Sequence, residues 1–136
     1  MKVESFDKVK LENVNVEGAV GTKIRWLISQ KDDAPNFALR MFEVQPGGNT
    51  PFHAHAWEHE VFVLEGEGEL VLAGEKKPFK RYDSIFVDPE IYHQFKNTGE
   101  TVMKFLCIVP HEDAPKKKKK DESTGNPFAA GTANNC

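Results

Sequence analysis

Three histidines crowd into residues 47–66, GGNTPFHAHAWEHEVFVLEG: His53 and His55 are two apart, and His59 follows after three intervening residues. A fourth, His93, stands further on in VDPEIYHQFKN. On a strand, His-x-His sends both rings to one face, because side chains alternate with period two. Imidazoles on one face within reach of each other are a metal site in outline. Were all four histidines to ligate, four neutral imidazoles would leave the charge of a divalent ion uncompensated. Such a site favours an anionic substrate, hydroxide or a reduced oxygen species. Four ligands on an octahedral ion also leave two positions open, as substrate and oxygen together require. Imidazole suits iron, nickel, copper and zinc. An all-imidazole site of this kind would leave two reaction types open, oxygen activation and Lewis-acid polarisation of a carbonyl or enediolate. Binding without turnover is a third reading.

The elements that must position these residues read as strands. Residues 21–29, GTKIRWLIS, alternate well, and residues 31–35 turn by composition. Residues 36–45 form a strand that Pro-Gly-Gly at 46–48 is expected to end. A short strand runs through His53 and His55, and another covers 58–64. Further strands fall at 69–73, 79–82, 84–87, 92–96 and 101–109, with turn residues between them. No amphipathic helix stands out. Many short strands with turns between them predict an all-β sandwich or barrel. Alternate side chains line the interior of a small barrel, so inward histidines would sit in its lumen. Residues 1–19 read as an N-terminal arm or edge strand with weak alternation, and 20–110 as the domain. Residues 111–136 read as a polar tail with five lysines at 116–120, disordered by composition.

Composition narrows the class. The chain has 136 residues and a net charge of −3, enough for one domain and without a basic bias toward nucleic acid. The lysine run could meet an anionic partner, but flanking acids dilute it and a solvated tail is the simpler reading. No apolar run reaches the roughly 20 residues of a membrane span, and no leader is visible. Two cysteines, Cys107 and Cys136, make no disulfide framework, so a reducing cytoplasm is expected.

The motifs resemble the cupin superfamily. Its first motif, G-x5-H-x-H-x3,4-E-x6-G, is followed closely by Gly47, His53, His55, Glu60 and Gly66. Its second, G-x5-P-x-G-x2-H-x3-N, is matched by His93 and Asn97, while Tyr82, Asp88 and Glu90 stand where Gly, Pro and Gly are usual. The resemblance covers about residues 20–110 and implies a jelly-roll β-barrel. The segments 33–48, 57–66 and 105–110 look like small single-domain cupins of bacterial type with a four-histidine site. The resemblance therefore implies His53, His55, His59 and His93 as ligands of one divalent ion. It points to manganese or iron, whereas affinity alone favours zinc or copper, with nickel also open. It implies a small organic substrate and, as the leading expectation, a dioxygenase-like oxidoreductase. An isomerase or decarboxylase, or a non-catalytic binding cupin, is the alternative.

Periodicity alone does not choose between His59 and Glu60. The two are adjacent and point to opposite faces of a strand, and either choice places apolar residues beside the ion. The resemblance selects His59. The same logic turns Arg40 inward with Phe42 and Val44, as an anchor for an anionic substrate or as a buried structural bridge. It turns Met103, Phe105 and Cys107 inward and Lys104 outward. Cys107 reads as a small buried hydrophobe, or as a thiol that modulates a redox metal. Arg40, Cys107 and Phe105 are thus candidate pocket residues. Tyr92 and Phe95 flank His93. Trp57 and Phe52 read as packing residues and His111 as surface. Small cupins usually pair, and Leu39 and Met41 on the outer face of the 37–44 strand suggest a homodimer.

Overall fold

The structure is a computed structural model that describes residues 1–111; the expectations for the tail from residue 112 onward lie outside the described residues. The described residues are nearly all β. The strands are β1 (Glu12–Asn13), β2 (Val20–Ile28), β3 (Phe37–Asn49), β4 (His59–Glu65), β5 (Glu67–Leu72), β6 (Glu75–Lys80), β7 (Ser84–Val87), β8 (His93–Asn97) and β9 (Met103–Pro110). Single 3-10 turns occur at Phe6–Lys8 and Gln30–Asp32. The pairings are antiparallel, in the order β6-β5-β8-β3-β9-β4-β7, with β2 also on β3 and β1 on β2. The sheet curls around a core that includes Phe42, Val44, Val63, Phe95, Met103 and Phe105, none of which is exposed. Phe105 stacks on Phe42 at 5.2 Å and tilts against Phe95 at 5.1 Å. The arm contributes to this core through Val14, with Val16 and Ala19 packed against it.

β3 holds the curl together. Its first part pairs with β9 and β2, and its end pairs with β8 through Asn49 and Lys96. Pro-Gly-Gly at 46–48 therefore does not stop the strand as expected; it turns the strand from one part of the sheet into the other. Gly47 has a φ of 80°, and a Cβ on Gly48 would lie 2.6 Å from the Val20 carbonyl oxygen. Only glycine permits that approach.

Other expectations also shift. The strand through His53 and His55 reduces to a single bridge, His53 with His93, inside a loop. β6 begins at Glu75 rather than at residue 79, in a hairpin with β5. Tyr82 leaves the strand altogether, with a φ of 75° that its backbone bond to the Val63 oxygen (2.8 Å) holds in place. Met41 is already buried between its neighbours Arg25 and Leu106, so of the expected pair only Leu39 remains partly open. His111 is buried rather than at the surface. Its N–H donates to the Asn36 oxygen at 3.0 Å, which carries the β9 register past Pro110 and makes His111 the next residue in the inward row Cys107, Val109.

Candidate metal centre

The loop between β3 and β4 carries two of the four histidines, and backbone pairing fixes its path. Thr50 is fully buried. Its N–H donates to the Phe95 oxygen at 2.9 Å, and its hydroxyl accepts from the Phe95 N–H at 2.8 Å. His53 and His93 exchange both backbone bonds, at 3.1 and 2.9 Å. The Glu90 N–H donates to the His55 oxygen at 2.7 Å, with Glu90 at a φ of 69°. This irregular segment is thus tied to β8 at His53 and to the turn before β8 at His55, and strand periodicity plays no part.

The four rings converge. One ligand atom from each of His53, His55, His59 and His93 can be chosen so that all lie within 4.8 Å of one another. Four nitrogens each about 2.1 Å from one ion would lie roughly 3.0–4.2 Å apart, so the cluster is the right size for a single ion. The Nε2 atoms of His55 and His59 already approach to 2.7 Å. His59 and His93 sit deepest, at 0% and 1% exposure. Phe95 meets both rings edge-on, with centroids 6.4 and 6.0 Å away. The outer nitrogens are occupied. His55 Nδ1 donates to the Trp57 oxygen at 2.8 Å, and His93 Nδ1 donates to the Ile91 oxygen at 2.8 Å. A carbonyl can only accept, so both rings must carry their proton on Nδ1 and turn a bare Nε2 toward the centre. Trp57 also stacks on His55 at 4.1 Å.

Glu60 is exposed on the opposite face of β4 from His59, as alternation requires. Burial, and then the neighbouring Glu60 and Asp88, push the Glu58 carboxyl upward. Arg40 is fully buried; its guanidinium donates to Cys107 Sγ at 3.2 Å and lies over the Trp26 and Phe42 rings at 5.4 and 5.1 Å. Cys107 Sγ is also 3.2 Å from His59 Nδ1. Phe105 packs behind Phe95 in the core. Phe52 and Tyr92 are exposed and stack on each other at 5.5 Å. The backbone acceptors at Trp57 and Ile91 left no mark in the sequence. The inward alternation of β9 does place Cys107 near the site, but its contact with His59 could not be read there.

The family described as "Cupin domain" matches residues 40–109. The chain belongs to the cupin family. Among solved structures, this cupin is similar to the polyketide cyclase RemF from Streptomyces resistomycificus, at 39% identity and a TM-score of 0.77, covering 81% of this chain and 79% of that one. It is 31% identical over 100 residues to an oxalate-binding protein of Thermotoga maritima, covering 70% of this chain and 81% of that protein. A 1-methylthio-D-xylulose 5-phosphate methylsulfurylase of Rhodospirillum rubrum is 33% identical over 74 residues. The cupin covers 54% of its own length in that match and only 47%, about half, of the relative. Among the described residues no helix is long and apolar enough to cross a membrane.

The cluster has an acid signature when it holds no ion. Burial, and then the charges of His59, His93 and His53, push the His55 imidazole from the ordinary 6.5 down to about 3. The unfolded chain therefore binds this proton first as pH falls. The stabilising contribution is complete above about 6.5 and is lost progressively toward 3. Metal-stripped protein should show a falling thermal midpoint between pH 6.5 and 4.5, and His55→Gln should flatten that slope. Equal slopes in the two proteins would contradict the assignment.

Proposed function

We propose that this cupin is a metal-dependent enzyme whose substrate is a small anionic or enolisable carbonyl compound, with the ion acting as a Lewis acid. The observation that carries this reading is a donor set of four imidazoles with no carboxylate among them, converging over an apolar floor. A divalent transition metal held there would polarise a carbonyl oxygen and stabilise negative charge developing on it. The chain's own contribution is positional. His55 and His93 hold their protons on the outer side, and Phe95, Val61 and Val63 keep water from the inner side. The resemblance to a polyketide cyclase supports ring closure at a carbon next to a carbonyl; the oxalate-binding relative supports a small dicarboxylate or another compound that chelates through two oxygen atoms. The expected dioxygenase-like oxidoreductase is the second reading, supported by the two positions that four ligands leave open. Against it stands the Cys107 thiol, an oxidisable group beside a ligand. Manganese or iron is the ion this reading expects, and a reducing cytoplasm, in which that thiol stays reduced, is the proposed setting.

The test is elemental analysis of protein purified without added metal, followed by α-proton exchange with deuterium in 1,3-diketones and 2-keto acids under nitrogen. About one transition metal per chain, with exchange that needs it, is expected. His93→Ala should lose more than the roughly 10–100-fold in affinity typical of removing an outer partner, and Glu60→Gln should bind as wild type. Substrate-dependent oxygen uptake without anaerobic exchange would overturn the Lewis-acid reading.

We also propose a homodimer through the outer face of β7, β4, β9, β3 and β2. Phe86, Ile108, Leu39 and Ile28 lie in one row there, with Glu60 between Phe86 and Ile108, and Phe62 and Leu106 lie in the next. Phe86, Phe62, Ile28 and Ile108 are 57%, 41%, 40% and 39% exposed. A two-fold axis would lay this apolar face on its own copy. Light scattering should give twice 15.3 kDa, and Ile108→Lys should halve it. A single-chain mass for the unaltered protein at tens of micromolar would contradict the dimer.

A further inference from the structure

We propose that His111 is the general base of the proposed reaction: its Nε2 takes the proton from the carbon next to the substrate's carbonyl. This rests on the Lewis-acid reading above.

Polarising a carbonyl makes the neighbouring C–H acidic, but a group must still accept the proton. The inner wall offers few such groups. Among the described residues no aspartate or glutamate is buried. His53, His55, His59 and His93 turn their nitrogens to one another in the ligand cluster. Arginine has no acceptor, which sets Arg40 aside. The Cys107 sulfur lies 3.2 Å from both the Arg40 guanidinium and the His59 ring. The fifth histidine of the chain, His111, is buried and stands outside the cluster.

Strand register places it. Ala38 pairs with Val109 and Glu60 with Ile108, so His59 stands beside Val109 on the inner face. His111 is two residues further along the same inward row, roughly 7 Å beyond that level. β4 and β8 begin at this end of the barrel, with His59 and His93, and β9 finishes there. His53 and His55, the less buried ligands, lie in the loop at the same end. A base one layer of side chains beyond the deepest ligands faces a substrate held on the ion from its open side. The His111 side chain is also unsatisfied. It is 7% exposed, and its Nε2 meets neither bulk solvent nor a hydrogen-bond partner among the described residues. Ala38 and Val109, its inward neighbours, are apolar and buried. A polar atom buried in this way is costly unless a bound group meets it.

The step balances without an oxidant. The C–H bond breaks, its electron pair forms a carbon–carbon double bond, and the carbonyl oxygen takes the negative charge. Nε2 gains the proton, and His111 becomes an imidazolium. Return of a proton or deuteron from Nε2 to the same carbon reverses the step. In a ring closure that carbon instead attacks a second carbonyl, and the proton goes to the oxygen formed there.

The experiment uses the full chain loaded with zinc, with 2-oxobutyrate as the probe. Chelator competition reads zinc affinity, nitrogen-15 histidine NMR reads the His111 ring, and deuterium exchange beside the keto group reads the rate. Adding 2-oxobutyrate to the wild-type protein should shift the His111 Nε2 signal. His111→Gln should bind zinc and 2-oxobutyrate as wild type does, yet lose about 100–10,000-fold in exchange rate. The NMR reading is taken on the unaltered chain, so it decides even where the variant fails to fold. A His111 signal that 2-oxobutyrate leaves in place, or wild-type exchange in His111→Gln, would overturn the proposal and leave the Lewis-acid reading standing. Loss of zinc affinity in His111→Gln would give His111 a structural role and overturn it too. No zinc-dependent exchange in the wild-type protein would overturn both.

Discussion

An imidazole can turn a lone pair inward only if its other nitrogen keeps the proton, and that requirement shapes the whole centre. Four bare nitrogens facing one another repel unless each ring is held from behind. At His55 and His93 a carbonyl two residues away along the chain does this, so the local backbone path decides the chemistry of the ring. At His59, which lies on a regular strand, the backbone carbonyls are committed to ladder bonds. The partner must then come from the next strand, β9, as the side chain of Cys107.

That division explains the fold around the site. A ligand whose Nδ1 bonds a carbonyl two residues away sits where the backbone is irregular, in the loop before β4 or at the entry to β8. Irregular backbone is mobile unless its polar groups are paired. Here Thr50 with Phe95, His53 with His93 and Glu90 with His55 pair it. Glu90 and Tyr82, where cupins usually have glycine, keep the left-handed conformation at φ of 69° and 75°. Left-handed backbone in a residue with a Cβ is strained by roughly 1–2 kcal/mol, and the backbone bonds to His55 and Val63 hold it there.

The histidine cluster, the all-β class and the inward rows of β3 and β9 were legible because spacing and period two carry them. Arg40, Phe42 and Val44, and likewise Met103, Phe105 and Cys107, point inward as alternation predicts. What could not be read depends on contacts distant in sequence. His53 and His55 face one site because β8 and the turn before it pair with their loop, not because they share a strand. Pro-Gly-Gly reads locally as a stop, and only the approach of Gly48 to Val20 makes it a corner. His111 follows a proline and reads as surface, yet the β3 register carries it inward. The choice between His59 and Glu60 also needed the third dimension, since both faces of β4 carry apolar residues.

The central claim is that four imidazoles, and no carboxylate, hold one ion. Crystallography of metal-loaded protein at the absorption edge of the bound element tests it most directly. The account predicts one anomalous peak per chain, about 2.1 Å from an Nε2 atom of each of His53, His55, His59 and His93. A peak ligated by Glu60, or one that leaves His59 out, would contradict it.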